Sequence, residues 1–551
     1  MKKQRIKNFN RPELQINAKS LKLRVLVLIV AVSIFALAIG AKLFVLQVLD
    51  HEFYEALASG QHEIYEQLFP ERGEIFFGEE NGDEYHVVAT NREYNFIYAD
   101  PRHVADPEEF LNQLQAVLEF SDEEKEAMLA RISNPKDPFE PIAHQITDEV
   151  AAQIEALELE GIGFSKESFR YYPEEGLGGH VLGFVGSDEA GNMSGRYGIE
   201  GRFDEEVAGE EGFIHSERNE SGVWITVADR SFKPAVDGAD VYLTLDRNIQ
   251  YQACKQIKDA VLKHGADGGS IIVMRPTGKI LGMCSYPDFN PNEYSEVPDI
   301  SVFNNPAIFN QYESGSVFKA FTMAAALDQG KVTPQSTYED TGEVQIGEHT
   351  IRNSDDKAHG TQTMTQVLEE SLNTGAIFAM RQAGQEVFRD YVEAFGFGQI
   401  TGMELDTEMP GNISSLWSRG EIYAATASFG QGISVTPLQL VAAFGAIANQ
   451  GALVKPYIID KIVYPDGREQ VTQEKQVRQT ISQRAAALLS GMLVTVVESG
   501  HGTRAAVPGY YVAGKTGTAQ VPRTDGPGYD PNITIGSFAG FAPAQNPAFV
   551  M

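Results

Sequence analysis

The chain has 551 residues, 42% of them hydrophobic, with a formal net charge of −32. That length implies more than one domain and that composition supports packed cores, which excludes a disordered chain. So acidic a body repels phosphate, which excludes nucleic acid as a partner, and the plain reading of the excess acid is a solubilising surface.

Residues 1–24 run against this balance, with eight Lys/Arg and a single acid, Glu13. Val25 to Ala41 is uncharged and rich in Val, Leu, Ile and Ala; Lys42 interrupts, and Leu43 to Leu49 resumes the apolar run. As one helix, 25–49 spans roughly 37 Å, enough to cross a bilayer with Lys42 at an interface. The positive flank keeps residues 1–24 in the cytoplasm and sends the body out. Ala36-Leu37-Ala38 would pass as a signal-peptidase site. The long basic region and the apolar residues beyond the triplet favour an uncleaved, single-pass anchor.

Residues 50–235 read as a mixed α/β region. Helices are expected over His51–Gln67, Asp106–Arg131 and Asp148–Leu159. Strands are expected over Val87–Thr90, Tyr94–Tyr98, His180–Val185 and Val223–Val227. His180 and His215 stand alone and read as structural; Glu200 and Asp204 read as helix-face charges. A second domain begins near residue 236. A strand over Gly238–Asp246 leads into a helix near Arg247, followed by a hairpin of Gly269–Met274 with Lys279–Cys284 around Pro276-Thr277-Gly278. Cys254 and Cys284 have no metal-ligand spacing and are expected to be isolated core thiols. Further on come a polar loop over Thr350–Thr361, a helix carrying Ser371 and Asn373, and alanine-rich helices over Tyr423–Thr426, Pro437–Asn449 and Arg484–Val497. Last is a strand over Tyr511–Ala519. Early and late strands bracketing helices predict a sheet that pairs across a long helical insertion.

Three motifs in this domain carry chemistry. Ser316-Val317-Phe318-Lys319 joins a small-residue turn to an apolar helix, which puts Ser316 and Lys319 on one face. Ser-x-x-Lys alone is weak. It recurs at Ser133–Lys136, where Pro135 spoils a helix, and at Ser354–Lys357, in a polar loop. Weight comes from the set: Ser371-Leu372-Asn373 is the one Ser-x-Asn, and Lys515-Thr516-Gly517 the one Lys-Thr-Gly. Ser316 would attack a carbonyl, and a neutral Lys319 would take its proton. Desolvation and Lys515 would lower the Lys319 pKa. Ser371 would relay the proton to a leaving amine. Asn373 would offer its amide to substrate peptide groups, and Lys515 its charge to a substrate carboxylate. Thr516 and Thr518 would donate hydroxyls, and Gly517 would allow close backbone approach. The backbone N–H groups of Ser316 and Thr518 would form the oxyanion hole. No metal and no cofactor enters this scheme.

The ordered trio resembles that of penicillin-binding proteins and class A β-lactamases. Over nearly the whole chain the sequence resembles a class B penicillin-binding protein, a bacterial D,D-transpeptidase of cell-wall synthesis. The likeness includes Arg72-Gly73-Glu74-Ile75, Arg170-Tyr171-Tyr172-Pro173, Gly198-Ile199-Glu200-Gly201, Leu243-Thr244-Leu245-Asp246, Ser428-Phe429-Gly430-Gln431-Gly432 and Gly514 to Gln520. The resemblance implies an α+β multidomain protein. It has a cytoplasmic tail (1–24), a transmembrane anchor (25–49), an elongated non-catalytic pedestal of dimerisation type (50–235) and a transpeptidase domain (236–551) with an antiparallel sheet flanked by helices. It implies a D-Ala-D-Ala stem peptide as acyl donor, a second stem amine as acceptor, β-lactams that acylate Ser316, and a polytopic glycosyltransferase as partner. The plasma membrane is then the location, with the catalytic domain outside. The lack of large insertions leans towards division over elongation. The rival activities are a hydrolytic relative, in which water deacylates Ser316, and a non-catalytic β-lactam sensor or scaffold.

Three departures from the family stand out. Ser314 occupies the place of a proline. Phe76 to Gly82 replaces an Asp-Arg-Asn-Gly turn. The chain stops at Met551 inside an apparent strand. The family's further strand and terminal helix would then be lacking, so the transpeptidase domain is expected to be incomplete, with an unpaired sheet edge.

Overall fold

This computed structural model describes residues 63–551 apart from 81, 83, 135, 137, 188–192, 218–230, 524, 525 and 527. The apolar run 25–49 and the strand expected over Val223–Val227 lie outside the described residues. Among the described residues no helix is long and apolar enough to cross a membrane. The described residues form two compact units, 63–69 with 211–217 and 231–235, and 70–210 with 236–551. In the first, Glu63–Leu68 is a strand where a helix was expected, because it pairs antiparallel with Gly212–Glu217. That strand in turn pairs with Ser231–Lys233.

In the second unit, Ile75–Gly78 (β1) pairs antiparallel with Tyr85–Ala99 (β2). β2 is one long strand in place of the two expected. Asn91-Arg92-Glu93 stay extended because they pair with Arg170, Phe169 and Ser168 of a later strand. The helix expected over Asp106–Arg131 is two helices, Pro107–Gln115 (α1) and Asp122–Ile132 (α2). Ser121 restarts the chain with a capping box: its Oγ accepts from Glu124 N at 3.2 Å, and the Glu124 carboxylate accepts from Ser121 N at 2.8 Å. Phe110, Leu111, Leu114, Met128 and Ile132 of these helices pack with Ile97 of β2 in a small core of their own. Glu140–Ile146 (β3) and Ile162–Tyr171 (β4) also pair with β2. The stretch 180–185, expected extended, opens with a helical turn, Gly179–Leu182, between Gly178 and Gly183, both at positive φ.

Glu200 and Asp204 are not free helix-face charges. Glu200 is fully buried between Arg72 and Arg170, accepting from their Nε atoms at 2.8 and 2.6 Å, while Asp204 takes Arg72 Nη1 at 2.7 Å. Arg72, just before β1, and Arg170 of β4 converge on one carboxylate, and burial in this form requires that pairing.

Asp240–Asp246 (β5) runs parallel to β1 and antiparallel to Ile459–Val463, so residues of the 70s, 240s and 460s share a sheet. The helix Arg247–His264 (α3) follows, capped by Asp246, and then the hairpin Gly269–Met274 (β6) and Ile280–Tyr286 (β7). The Gln250 side chain of α3 bonds the Met283 backbone of β7 in both directions, at 2.8 and 2.7 Å. One helical turn on, Cys254 meets Cys284, and the two form a disulfide with a Cα–Cα distance of 5.2 Å. The expectation of isolated thiols is therefore wrong: α3 packing on β7 brings the pair together across 30 residues.

Lys319–Asp328 (α4) is buried on every side from Lys319 to Leu327. Its sequence is apolar all round, as a central helix requires. Phe321 anchors it, 5.0 Å from the rings of Phe395 and Phe397 and 5.4 Å from Phe444. The Thr350–Thr361 region is not wholly loop. Thr337–Asp340 (β8) pairs with Gly360–Thr363, and His349–Arg352 with Glu343–Ile346. Met364–Glu369 (α5) and Asn373–Ala383 (α6) come next. Ala513–Pro522 (β9), Tyr529–Ala542 (β10) and Phe549–Val550 (β11) complete a sheet of order β7-β6-β11-β10-β9. The early hairpin and the late strands do share one sheet across the helical insertion, joined at Met274 and Val550, but the late strand expected over Tyr511–Ala519 is β9 at the far edge, paired with β10 and not with the early strands.

Candidate active site

The three motifs converge where α4, the link between α5 and α6, and β9 meet. Ser316 lies on a tight 3-10 turn, Gly315–Phe318, that runs into α4. Gly315 has φ +57°, and a Cβ there would stand 2.8 Å from Thr518 O. A Cβ on Gly517 would stand 2.6 Å from Ser314 O and 2.7 Å from the Val317 side chain. Two glycines therefore let the nucleophile turn and β9 lie backbone against backbone. Gly315 N donates to Gly430 O at 3.1 Å, which ties the turn to the Ser428–Gly432 segment.

Lys319 opens α4 and is buried. Its Nζ donates to the Ser371 carbonyl and, at 3.3 Å, to Ser371 Oγ. Lys515, on β9 and also buried, donates to the same Oγ at 3.0 Å and to Thr516 O at 2.9 Å. Ser371 is not in a helix: it stands before α6 at φ +56°, a left-handed conformation that a side chain adopts only when its surroundings hold it. Among the described residues neither lysine has a carboxylate within ion-pairing distance. Burial, and then the Lys515 charge, hold Lys319 well below the usual lysine range. Burial pushes Lys515 down to about 7.

Asn373 begins α6, and its Nδ2 donates to Arg352 O at 2.8 Å. Thr516, Gly517 and Thr518 follow Lys515 along β9, paired with Phe538, Ser537 and Gly536 of β10. Thr518 is exposed at the open side of the strand. The other two Ser-x-x-Lys matches are elsewhere: Ser133 and Lys136, and Ser354 and Lys357, are all exposed.

Sequence reasoning passed over a second tier of residues. Glu313, three residues before Ser316, accepts from Gly432 N at 3.0 Å and Tyr529 OH at 2.9 Å, bracing the turn against β10. Burial raises the Glu313 carboxyl, and those two bonds only partly oppose it. Asp340, Asn353 and Thr374 form a buried polar knot behind Asn373. The one sequence signal for Glu313 was its place in the nucleophile stretch. The knot had none, since its members are 13 to 34 residues apart.

This geometry has counterparts in known proteins. The penicillin binding protein transpeptidase domain matches residues 269–551, and the penicillin-binding protein dimerisation domain matches residues 67–243. The chain belongs to the class B penicillin-binding proteins. It is 36% identical over 493 residues to stage V sporulation protein D of Bacillus subtilis, covering 88% of this chain and 73% of that protein. It is 31% identical over 531 residues to the probable peptidoglycan D,D-transpeptidase PbpC of Pseudomonas aeruginosa, covering 95% and 89%. Among solved structures it superposes on penicillin binding protein 3 of Mycobacterium tuberculosis complexed with aztreonam, with a TM-score of 0.66 and 27% identity, covering 88% and 89%.

Ser314 stands two residues before the nucleophile of this penicillin-binding protein. The residue has φ −76° and ψ −10°. It is buried, and its Oγ has no hydrogen-bond partner among the described residues. The buried hydroxyl therefore carries a desolvation cost that no hydrogen bond offsets.

Proposed function

We propose that the protein is a peptidoglycan D,D-transpeptidase that cross-links stem peptides through an acyl-enzyme on Ser316. One observation carries this reading: Ser371 Oγ lies between two buried lysines, at 3.3 and 3.0 Å, beside the turn that presents Ser316. Burial of both lysines, with no carboxylate within ion-pairing distance among the described residues, favours a neutral amine, which is what a serine nucleophile needs.

In the acylation step Ser316 Oγ bonds to the carbonyl carbon of the penultimate D-Ala, and Lys319 takes the hydroxyl proton. The oxyanion is held by the Ser316 and Thr518 backbone N–H groups, each worth about 2.7–4 kcal/mol in a site of this kind. Collapse breaks the peptide C–N bond, and the proton passes by Ser371 to the leaving D-Ala amine. Lys515, with the Thr516 and Thr518 hydroxyls, receives the donor's terminal carboxylate. Asn373 bonds a substrate amide, and Gly517 lets the donor backbone lie along β9. The amine of a second stem then attacks the ester, loses its proton through the same groups, and releases Ser316. β-Lactams stop at the first half, because the amine they expel stays tethered.

The same reading places residues 25–49 in the plasma membrane as a single-pass anchor, with the catalytic unit outside, where peptidoglycan lies. Through the anchor and pedestal it assigns a polytopic glycosyltransferase as partner. The test is covalent labelling of the full-length chain with fluorescent penicillin, followed by peptide mapping. The label is expected on Ser316 and absent from Ser316→Ala. A folded wild-type chain that takes no label overturns the reading.

A further inference from the structure

Asp340 ends β8 and is buried, although nothing cationic pairs with it among the described residues. Its charge is met by four donors. Oδ1 accepts from Thr374 Oγ1 at 2.6 Å and Gly342 N at 3.1 Å; Oδ2 accepts from Asn353 Nδ2 and His359 N, each at 2.9 Å. Asn353 Oδ1 in turn accepts from Thr374 N at 3.3 Å. Thr374 Oγ1 faces two acceptors, Asp340 Oδ1 at 2.6 Å and Asn353 Oδ1 at 3.2 Å; its single proton favours the shorter contact to the charged carboxylate, which leaves the Tyr338 hydroxyl, 3.1 Å away, as the donor to Thr374 Oγ1. Every neighbour of the carboxylate is thus a donor, and only an acceptor-only group satisfies all four.

This knot grips the first turn of α6. Thr374 directly follows Asn373, and Asn353 directly follows Arg352, whose carbonyl holds the Asn373 side chain at 2.8 Å. On the other side stands Ser371, at φ +56°. That conformation needs support from both flanks. Upstream, Glu370 N bonds Gln366 O of α5 at 2.8 Å, and directly after Ser371 the Leu372 N bonds Val367 O at 3.0 Å. Downstream, the support is Thr374 in the knot.

We propose that Asp340 is a positioning residue for the reaction at Ser316: through Thr374 and Asn353 it holds Asn373, and holds Ser371 in the left-handed geometry that meets both lysines. This rests on the transpeptidase reading. Loss of the knot lets the start of α6 shift, and a shift of about 1 Å at a reacting group costs about 100-fold in rate. Substrate affinity, set mainly by β9 with one contribution from Asn373, changes less than the rate.

The test uses full-length Asp340→Asn, Thr374→Val and Thr374→Ser. Fluorescent-penicillin acylation is resolved into its saturating rate and half-saturating concentration, and normalised to the folded fraction. Asparagine offers one acceptor and turns an NH₂ towards two donors; valine removes one hydroxyl with almost no change in volume. Both are expected to lower the saturating rate about 10- to 100-fold, with a half-saturating concentration within about threefold of wild type. Thr374→Ser, which keeps the hydroxyl, is expected to restore the rate. A folded Thr374→Val that acylates at the wild-type rate overturns the proposal, as does a Thr374→Ser as slow as Thr374→Val. If Asp340→Asn fails to fold, the threonine pair decides. Absence of labelling in the wild type would instead overturn the transpeptidase reading on which the proposal stands.

Discussion

The Lys515 ammonium donates to the Ser371 hydroxyl at 3.0 Å, and both groups are buried. Lys319 reaches the same oxygen from α4. Two cations converging on one hydroxyl in a dry site resist being charged together. Burial lowers both lysines and the Lys515 charge lowers Lys319 further, which favours Lys319 as the amine and Lys515 as the protonated partner. A proton leaving Ser316 therefore has a base to go to, and Ser371 is the only hydroxyl that touches both lysines among the described residues.

The first prediction concerns that bridge. Ser371→Ala is expected to keep the fold, because alanine fits the space, and to slow penicillin acylation by about 10²–10⁴, the usual worth of a positioned proton-transfer group. The readout is the second-order acylation constant from stopped-flow fluorescence, with circular dichroism as the control for folding. An unchanged constant would remove Ser371 from the proton path.

A second prediction follows from pH. Lys515 must be charged to receive a carboxylate, and burial sets it at about 7. The acylation constant of the wild type is expected to fall as pH rises through that value, while an acid limb at lower pH marks protonation of Lys319. Because the lysines interact, both limbs belong to the pair. Lys515→Arg stays charged throughout, so the alkaline limb should vanish even if the plateau is lower. Stability carries the opposite trend. Between about 7 and the ordinary lysine value near 10.4, the unfolded chain binds a proton at Lys515 that the folded chain does not, so this residue makes the fold more stable as pH rises through the window. A Lys515→Arg variant with the same alkaline limb would assign it to another group.

Much of this site was legible because its chemistry lies in short words. Ser316–Lys319, Ser371–Asn373 and Lys515–Gly517 are local patterns, and the order of strands and helices around them follows hydrophobic spacing. What stayed hidden depends on residues far apart in the chain. Ser371 was expected within a helix, but Lys319 and the Asp340 knot hold it outside one, at a φ that no local propensity favours. Glu200 looked like a surface charge because Arg72 and Arg170 lie 128 and 30 residues away. Cys254 and Cys284 looked unpaired because their distance is set by how α3 lies on β7, which periodicity does not encode.

Glu200 supports a third prediction. It is fully buried and carries two arginines, with Tyr172 OH at 3.3 Å from its Oε1. Burial raises its carboxyl, but Arg170 and Arg72 outweigh that and hold it below the usual range. Glu200→Ala leaves the buried Arg170 guanidinium without a counter-charge and Arg72 with Asp204 alone, a loss of about 3–5 kcal/mol for a broken buried pair. A clearly lower urea midpoint is expected for the full chain, and a midpoint equal to wild type would show that water replaces the carboxylate at no cost.

The disulfide gives a fourth. It closes a loop between residues 30 apart in sequence, which in the chain-entropy model is worth roughly 3–4 kcal/mol. Cys254→Ser with Cys284→Ser is expected to lower the thermal midpoint by several degrees and to abolish its dependence on added dithiothreitol. Wild type and variant melting together without reductant would mean that the bond contributes nothing to the unfolding balance.

The last prediction returns to the turn before the nucleophile. Ser314 Oγ is buried without a partner among the described residues, a state that costs about 1–3 kcal/mol relative to a group with none to satisfy. Ser314→Ala removes the hydroxyl and leaves the backbone alone, so the thermal midpoint should rise. Ser314→Pro removes the same hydroxyl and also restricts the unfolded chain; the native φ of −76° lies within the range a proline ring allows. It should add a further stabilisation of about 0.4–1 kcal/mol, provided the residue before it keeps its conformation. The order wild type, alanine, proline in rising midpoint separates the two contributions. A fall with alanine would mean that the hydroxyl finds a partner in solution, and a fall with proline alone would locate the conflict in the backbone of Glu313.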